Sequence, residues 1–343
     1  MNVPQTHMRR EIDAIPEAVA RLLDASGDAI ARAGDMLRDL DPPALVTIAR
    51  GSSDHAALFL KYTVEQHLRL PVASIGPSLA SVYGVTPKLA GMAAIAVSQS
   101  GKSPDIVAMA RAAGEGGART LALVNVAPSP LSEACHETIA LQAGPELSVA
   151  ATKSFVCSIA AGLAVIARWS GDAALGGAVA VLPDHLEKAL SCDWSAFGAA
   201  IGQPESIYVL GRGLSAAIAQ EAALKFKETC GVHAEAYSAA EVLHGPVELV
   251  EGHFPIMALA ADDAAAASVA AVADGLADKG ATVFTTAPGV RKATPLETVR
   301  TGHALTDALA AIVPFYGFVE GWSRALGRNP DAPKSLAKVT ETT

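Results

Sequence analysis

The chain has 343 residues, of which 51% are hydrophobic and 18% are charged, and its formal net charge is −9 at neutral pH. This length suffices for two ordinary domains, and the composition is typical of soluble globular proteins. The negative charge excludes nucleic acid as a partner, because a surface that binds nucleic acid has to be basic. An anionic ligand must therefore be held locally, by backbone amides, hydroxyls and helix ends.

The sequence contains no segment that predicts export or insertion into a membrane. The longest nearly apolar run, residues 155–169, is shorter than the roughly 20 residues that cross a bilayer, and it predicts a buried helix. The N-terminus becomes charged before an apolar segment develops, unlike a secretory signal. We therefore expect a cytoplasmic protein that does not contact a membrane.

The cysteines lie far apart, with no CxxC pair and no histidine at the spacing of a metal ligand. They are Cys135, Cys157, Cys192 and Cys230. We predict reduced structural thiols, and we expect neither a metal nor a cofactor.

Strand-like runs alternate with helical stretches through the first half of the chain. A helical arm, residues 1–39, comes first, and helices are then expected from about Asp54 and from about Ser103. The strand-like runs are ALVTIA at 44–49, AAIAVS at 93–98, TLALVNV at 120–126 and ETIAL at 137–141. This alternation is typical of βα units on a parallel sheet.

The pattern then occurs a second time. Three elements recur at one separation of 162 residues, namely Arg50-Gly51 with Arg212-Gly213, Ala93 with Pro255, and Thr120 with Thr282. All βα units look alike to some degree, but one separation shared by three elements favours a duplication. We therefore predict an α/β protein of two tandem domains, each a parallel sheet flanked by helices in a flavodoxin-like three-layer sandwich. The predicted domains are residues 40–180 and 200–328, and a tail follows at 329–343.

The turn after the run AAIAVS reads SQSGKSPD at 98–105 and contains GKS, the tripeptide that ends a nucleotide-binding P-loop. A P-loop also needs a glycine five positions before Gly101, and that position is Ala96. We therefore do not expect ATP to bind at this turn.

The same turn has the features of a monophosphate site that needs no metal. Hydroxyls surround Gly101, and the following helix directs its positive N-terminus at the turn. A second hydroxyl-rich turn, RGSSD at 50–54, follows another predicted strand, and ligands of parallel sheets bind beyond the carboxyl ends of strands. The predicted phosphate ligands are Ser52, Ser53, Ser98, Gln99, Ser100 and Ser103. The alternative is that the serines only cap helices, a role that suits Ser103 before Pro104.

The repeat provides an internal comparison for this turn. In the second half, SQSG aligns with Ala260-Ala261-Asp262-Asp263. Two carboxylates would repel a phosphate, so one phosphate pocket is expected in the first half and none in the second.

The chain resembles the sugar isomerase domains of glucosamine-6-phosphate synthase, the glutamine–fructose-6-phosphate aminotransferase, over nearly its whole length. Four segments carry the resemblance: SQSGKSPD at 98–105, ELSVAATKSF at 146–155, EAALKFKETCGVHAEAYSAAEVLHGP at 221–246, and SLAK at 335–338. The third segment is long and unusual enough to make the match specific. The resemblance implies that the ligand is a hexosamine or hexose 6-phosphate and that the protein is a homodimer.

The resemblance also implies which residues bind the sugar. The phosphate would be held by Ser53, Ser98, Gln99, Ser100 and Ser103. Glu146, Val149 and Ala150 would line the sugar itself. Two positions depart from the family, because Lys102 stands where the synthase usually has Glu and Ala151 where it usually has Ser. Neither change removes a predicted phosphate ligand, and Lys102 is expected to point outward.

The catalytic residues implied by the resemblance lie in the second half and in the tail. Lys225 and Glu228 match the catalytic helix, on which Glu228 moves the proton between C1 and C2. His244 matches the histidine that opens the sugar ring and reaches into the pocket of the partner subunit. Lys338 matches the lysine that forms a Schiff base with the ketose.

The residues themselves allow this chemistry without requiring it. Glu221, Lys225 and Glu228 fall near one helix face, and one carboxylate can serve both carbons, but such a stripe is also common on solvated helices. An imidazole can take and give the proton of ring opening near neutral pH, yet a single histidine in a turn is usually a surface residue. Lys338 can be a nucleophile only as a neutral amine.

The largest departure from the synthase concerns its glutaminase domain, since this chain begins directly with the helical arm. Without ammonia from glutamine, the same site is expected to run in the opposite direction, as a deaminase that converts glucosamine 6-phosphate to fructose 6-phosphate and ammonia. The alternatives are a synthase-like isomerase, a fructosamine-6-phosphate deglycase and another phosphosugar aldose–ketose isomerase. A non-catalytic sugar-phosphate sensor is disfavoured, because Glu228, His244 and Lys338 are all present.

Overall fold

The computed structural model describes residues 5–336 and 338. The helices are α1 His7–Asp13, α2 Ile15–Ala25, α3 Gly27–Leu40, α4 Gly51–His67, α5 Ser78–Ser81, α6 Pro104–Glu115, α7 Pro130–Ala134, α8 Lys153–Ser170, α9 Ala173–Ala180, α10 Leu182–Ala189, α11 Ser195–Ile201, α12 Leu214–Lys225, α13 Ala266–Asp278, α14 Ala304–Ala310 and α15 Ile312–Ala325. The strands are β1 Leu45–Ile48, β2 Val72–Ser74, β3 Ala93–Ser98, β4 Arg119–Val124, β5 Glu137–Ala140, β6 Ser206–Gly211, β7 His233–Ser238, β8 Pro255–Ala258, β9 Thr282–Thr285 and β10 Thr294–Pro295.

The first sheet is parallel, with the strand order β2-β1-β3-β4-β5. Every residue of β3 is buried, as expected for a central strand covered by helices on both faces. The strand order reverses between β1 and β3, which pair with Ile48 opposite Ala96. Ligands of open parallel sheets bind at such a reversal, beyond the carboxyl ends of the strands.

The second sheet repeats this topology, in the order β7-β6-β8-β9-β10. Leu210 of β6 lies opposite Ala258 of β8, and these residues are Ile48 and Ala96 moved by the predicted separation of 162 residues. The prediction of two tandem parallel sheets flanked by helices is therefore confirmed, and the two halves share register as well as strand order.

The described residues form two compact units. The first-sheet unit comprises residues 14–146, 151–183 and 338, and the second-sheet unit comprises residues 5–13, 147–150 and 184–336. The predicted N-terminal arm is divided between them, because α1 belongs to the second-sheet unit while α2 and α3 belong to the first. The domain boundaries drawn from the sequence stay a prediction.

The apolar run at 155–169 forms part of α8, a core helix of the first-sheet unit. Two segments, Lys153–Ser170 and Ala304–Ala325, are long and apolar enough by length and composition alone to cross a membrane. Within the fold, 83% of each segment is buried. Burial of this extent is usual for the core helices of a globular protein.

The thiols occupy apolar surroundings. Burial raises the pKa of Cys135 to about 11 and the pKa of both Cys157 and Cys230 to about 12. Thiols of this kind are mostly protonated and unreactive at neutral pH. Among residues 5–336 and 338, no group of three or more histidine, cysteine or acidic side chains is arranged to hold a metal ion.

Packing of α8 against α4 predicts an unusual response to a glycine substitution. A Cβ atom at Gly162 would lie 3.0 Å from Leu60 Cγ and closer still to its methyl groups. We expect Gly162→Ala to destabilise the protein by about 1–3 kcal/mol through overpacking, although alanine favours helices. The matched control is Gly177→Ala in α9, where a Cβ atom would have no neighbour within 4 Å. Chemical denaturation should place this control at or above the wild-type stability, and equal losses in both variants would contradict the packing argument.

Candidate active site

Two helix N-termini lie side by side at the reversal point of the first sheet. Strand β1 leads through Arg50 into α4, and β3 leads through the 98–103 turn into α6. Ile48 of β1 is paired with Ala96 of β3. Two residues further along, the strands reach Arg50 and Ser98, which therefore lie at the same edge of the sheet. The first amides of a helix have no acceptor within the helix, so two sets of donors face this edge together.

The serines of the turn bond to the turn's own backbone. Ser98 is buried, and its Oγ accepts the Gly101 N–H at 3.0 Å; Ser100 Oγ accepts the Lys102 N–H at 3.2 Å. A hydroxyl that accepts an amide hydrogen still has its own hydrogen to donate. These two hydroxyls are therefore oriented by the loop and able to donate to an anion.

Gly101 is required by the conformation of this turn. Its φ is +65°, and a Cβ atom there would lie 2.8 Å from both Val124 Cγ2 and Ser129 Cβ. Lys102 next to it is exposed, as predicted. Ser103 is the N-cap residue of α6, but its side chain makes no capping hydrogen bond. The alternative that Ser103 serves only as a helix cap is therefore not supported.

The second hydroxyl-rich turn differs from the prediction in one respect. Helix α4 begins at Gly51 and not near Asp54, because Gly51 adopts a φ of +55° and turns the chain at once from the strand into the helix. Ser52 and Ser53 thus belong to the first helical turn and are half-buried. Both residues are thus placed at the N-terminus of α4, where the helix dipole stabilises an anion.

Glu146 is a buried carboxylate at the N-terminus of α8. It accepts the Thr152 and Ser154 N–H groups at 3.0 and 3.1 Å and the Ser154 hydroxyl at 2.7 Å. Burial alone would raise the pKa of Glu146, but the ammonium of Lys338 and these hydrogen bonds outweigh burial and lower it. Glu146 is therefore anionic at neutral pH, with most of its lone pairs occupied by the protein.

Lys338 lies in the first-sheet unit, where its Nζ is 3.4 Å from Glu146 Oε2. Its side chain is 25% exposed. The two residues are 192 positions apart in sequence, so the contact brings a tail residue to the segment ELSVAATKSF. Two residues predicted for the site, one to line the sugar and one to react with it, are thus in contact.

Val149 and Ala150 belong to the second-sheet unit, in a short segment with Leu147 and Ser148. Ala150 is fully buried and Val149 is half-buried. The segment is fixed through its backbone, because the carboxylate of Glu11 in α1 accepts the N–H groups of Leu147 and Ser148. The Asp331 carbonyl accepts the Val149 N–H at 3.3 Å.

The predicted catalytic helix contains a buried lysine between two carboxylates. Lys225 Nζ lies 3.1 Å from Glu221 Oε1 and 2.6 Å from Glu228 Oε2. The side chains of Glu221 and Lys225 are fully buried, whereas that of Glu228 is 20% exposed. The alternative of a solvated ion-pair stripe is therefore wrong. Burial alone would lower the pKa of Lys225, but the two carboxylates outweigh burial and raise it, so the lysine stays charged.

Local backbone geometry places Glu228 at the accessible end of this cluster. Helix α12 ends at Lys225 and continues as a π-helical turn, Phe226–Cys230, a feature often found at functional sites. Behind the cluster, the Tyr316 hydroxyl donates to Glu221 Oε1 at 3.1 Å. The cluster thus has one closed end at Glu221 and one open end at Glu228.

His244 ends a 3₁₀ turn, Glu241–His244, and is exposed. Two leucines nearby in sequence are also exposed, Leu243 by 51% and Leu249 by 65%. His233, which the sequence did not assign to the site, places its Nδ1 3.2 Å from Ser206 Oγ. The contribution of His244 to a partner subunit stays a prediction.

The corresponding edge of the second sheet is filled by the protein itself. Arg300 lies 2.6 Å from the buried carboxylate of Asp307, which also accepts the Asp262 N–H at 2.8 Å. The Asp263 carboxylate accepts the Ala265 N–H at 2.8 Å. This edge has carboxylates where the first sheet has serine hydroxyls, and the single phosphate pocket stays a prediction.

Sequence reasoning missed two contacts of the site. Arg50 Nε donates to Asp105 Oδ2 at 3.0 Å, across 55 positions of sequence. Tyr316 and Glu221 are 95 positions apart. Arg50 and Asp105 both stood in segments that had been singled out, but no local pattern links residues at such separations.

Comparison with known proteins assigns a family. The SIS domain model matches residues 41–168 and 200–287, which contain most of both sheets. A glutamine–fructose-6-phosphate aminotransferase from Aeropyrum pernix is 34% identical over 97% of this chain and 56% of its own. The corresponding protein from Halobacterium salinarum is 32% identical over 86% of this chain and 51% of its own. This chain therefore spans about half the length of the curated relatives it matches.

Solved structures agree with this assignment. A protein from Silicibacter pomeroyi, described provisionally as a phosphosugar isomerase, is 55% identical, with a TM-score of 0.92 over 95% of this chain and 100% of that chain. The resemblance inferred from the four segments is therefore confirmed.

Removal of the buried cation should be costly. We expect Lys225→Met to destabilise the protein by about 3–5 kcal/mol, because two carboxylates then remain in a buried site without their shared partner. The control is Lys292→Met, whose partner Asp278 lies 3.4 Å away and whose ion pair is more than half exposed. For the control, urea denaturation should show a loss of about 0–1 kcal/mol in the free energy of unfolding. A small loss for Lys225→Met would contradict the buried-cluster description.

The pKa of Glu146 predicts a pH-dependent stability. Because the pKa is lowered from 4.5 on folding, ionised Glu146 stabilises the protein above that pH, and this contribution disappears as the pH falls through the folded-state value. We expect Glu146→Gln to cost about 2–3 kcal/mol at pH 7 and progressively less in acid. Denaturation from pH 7 to pH 3 tests this, with Glu17→Gln, whose side chain is 80% exposed, as the control. If the difference in free energy of unfolding between the wild type and Glu146→Gln stayed constant with pH, it would contradict this prediction.

Proposed function

Because the chain belongs to the SIS domain family, we propose that it is a phosphosugar isomerase that moves a proton between C1 and C2 of a hexosamine or hexose 6-phosphate. The more specific proposal is deamination of glucosamine 6-phosphate to fructose 6-phosphate and ammonia. We keep the cytoplasm as the proposed location and a homodimer as the proposed assembly.

The observation that carries the proposal is the buried cluster of Glu221, Lys225 and Glu228. A base for C1 and C2 must keep a fixed position while it takes a proton from one carbon and returns it to the next. Lys225 is fully buried and holds Glu228 Oε2 at 2.6 Å, while Glu228 keeps 20% of its side chain exposed. A carboxylate that is both fixed and accessible is suited to this transfer. A sensor that only binds sugar phosphate would not need it.

The phosphate site supports a sugar monophosphate as substrate. Ser98 and Ser100 are oriented by the amides of Gly101 and Lys102, at 3.0 and 3.2 Å. The donors belong to hydroxyls and helix ends, which suit one phosphate group and need no metal ion. In the proposal, Ser52, Ser53, Gln99 and Ser103 complete this set.

For glucosamine 6-phosphate, the reaction we propose has three steps. His244 transfers the proton that opens the pyranose ring and gives the aldehyde form. Glu228 then takes the C2 proton and returns it to C1, which converts the amino aldose to the imine of the ketose. Water adds to the imine carbon, and ammonia leaves. One water is consumed, and fructose 6-phosphate and ammonia are formed.

The same cluster would serve related reactions. In the reverse direction, ammonia adds to fructose 6-phosphate. The cluster supports this reaction, that of a synthase-like isomerase, equally well. A deglycase or a simple aldose–ketose isomerase would share the phosphate site and Glu228, and would differ at C1 and C2. The substrate therefore has to be identified by assay.

A panel of 6-phosphosugars tests the proposal. We expect purified protein to release ammonia from glucosamine 6-phosphate and to form fructose 6-phosphate in equal amount. Glu228→Gln should lower kcat by about 100-fold or more, since the amide cannot accept the C2 proton. Coupled assays for ammonia and ketose measure both.

The control variant is Glu235→Gln, a half-buried glutamate of β7 outside the cluster, which should keep wild-type kcat. Ketose formation without ammonia, from a hexose 6-phosphate only, would transfer the assignment to a simple isomerase. Full turnover by Glu228→Gln would refute the proton-transfer role. Absence of turnover with every member of the panel would refute the proposed function.

A further inference from the structure

We infer that Arg50 and Asp105 form a strap that joins the two phosphate loops and neutralises a buried carboxylate beside them. The inference rests on the proposed function, because it concerns how the same site accepts a phosphate. Arg50 is here a positioning residue, and the phosphate ligands remain the serine hydroxyls and the helix amides.

The strap connects the two helices that face the site. Arg50 is the N-cap residue of α4, and Asp105 is the second residue of α6, two positions after Ser103. Arg50 Nε lies 3.0 Å from Asp105 Oδ2. The ion pair therefore fixes the distance between the N-terminus that carries Ser53 and the N-terminus that carries Ser103.

The ion pair also neutralises the charge of Asp105. The Asp105 side chain is 1% exposed, and its other oxygen accepts the Ile106 N–H at 2.8 Å. A buried carboxylate close to an anion site would repel phosphate and compete for the same helix N-terminus. The Arg50 guanidinium, which is 54% exposed, cancels that charge from the solvent side. The pair thus leaves the loop amides and hydroxyls with a net attraction for an anion.

The second half of the chain contains the same arginine without the carboxylate. Arg212 stands 162 residues after Arg50, and its Nη1 donates to Ser268 Oγ in the first turn of α13 at 3.2 Å. The position that corresponds to Asp105 is Ala267. An arginine that reaches the next helix is therefore common to both halves, whereas the ion pair is present only at the half with the serine turn.

Binding experiments on four proteins test the inference: wild type, Arg50→Ala, Arg212→Ala and the double variant Arg50→Ala/Asp105→Asn. The probes are inorganic phosphate and glucosamine 6-phosphate, followed by calorimetry and by the rise in melting temperature. We expect Arg50→Ala to weaken binding of both probes about tenfold or more, because the buried Asp105 loses the guanidinium that lies 3.0 Å from its carboxylate. Arg212→Ala should bind as the wild type does.

The double variant separates neutralisation from direct contact. If Asp105 repels phosphate once Arg50 is lost, removing its charge should restore most of the affinity, an effect that a merely structural role of Arg50 would not produce. Arg50→Lys, which keeps the charge, should stay within a few-fold of the wild type and covers the case in which Arg50→Ala does not fold. A double variant as weak as Arg50→Ala would overturn the inference in favour of a direct phosphate ligand.

The result also separates this inference from the proposed function. If the wild-type protein binds the phosphosugar and folded Arg50→Ala binds both probes with the same affinity, the strap is overturned and the proposed function is not. A wild type that binds neither probe would overturn the proposed function and the strap together. In an active enzyme, Arg50→Ala should raise KM for the phosphosugar with a smaller change in kcat, because the reacting carbons are not contacted.

Discussion

The reversal of strand order between β1 and β3 is the constraint on which the proposed phosphate site depends. On either side of that point the connecting helices leave in different directions, so two helix N-termini open onto one edge. The pairing of Ile48 with Ala96 sets the level at which both turns begin. Side chains then decide what this edge binds. Serine hydroxyls and the amides of two turns, each with a glycine at positive φ (Gly51 and Gly101), make an uncharged set of donors, which the fold alone would not select.

The two halves use one topology for different purposes. In the first half, the edge beyond β3 carries serine hydroxyls, and the buried carboxylate of Asp105 beside them is paired with Arg50. In the second half, the same edge is occupied by the ion pair of Arg300 and Asp307. The helix after β6 instead carries Lys225 and its two carboxylates. The two sheets thus present equivalent edges that differ in the charges they carry, and the proposed function assigns binding to the first and chemistry to the second.

Much of this arrangement could be predicted from the sequence, because it follows from local rules. The alternation of apolar runs and helical stretches gave β3 at 93–98 as the structure has it, and a constant separation revealed the duplication. The start of α4 was placed three residues late, since the φ of Gly51 is fixed by the turn and not by a pattern. Burial of Lys225 and the pairing of Arg50 with Asp105 depend on packing between segments far apart in sequence, which no periodicity records.

The contact between Lys338 and Glu146 constrains the chemistry that the resemblance implies for the tail. A Schiff base requires a neutral amine, yet Lys338 lies 3.4 Å from a carboxylate. That carboxylate is a poor proton acceptor, because two amides and a hydroxyl already stabilise its anion. Glu146 therefore holds the tail as an ion pair and does not activate the lysine. A Schiff base at Lys338 therefore requires a base other than Glu146.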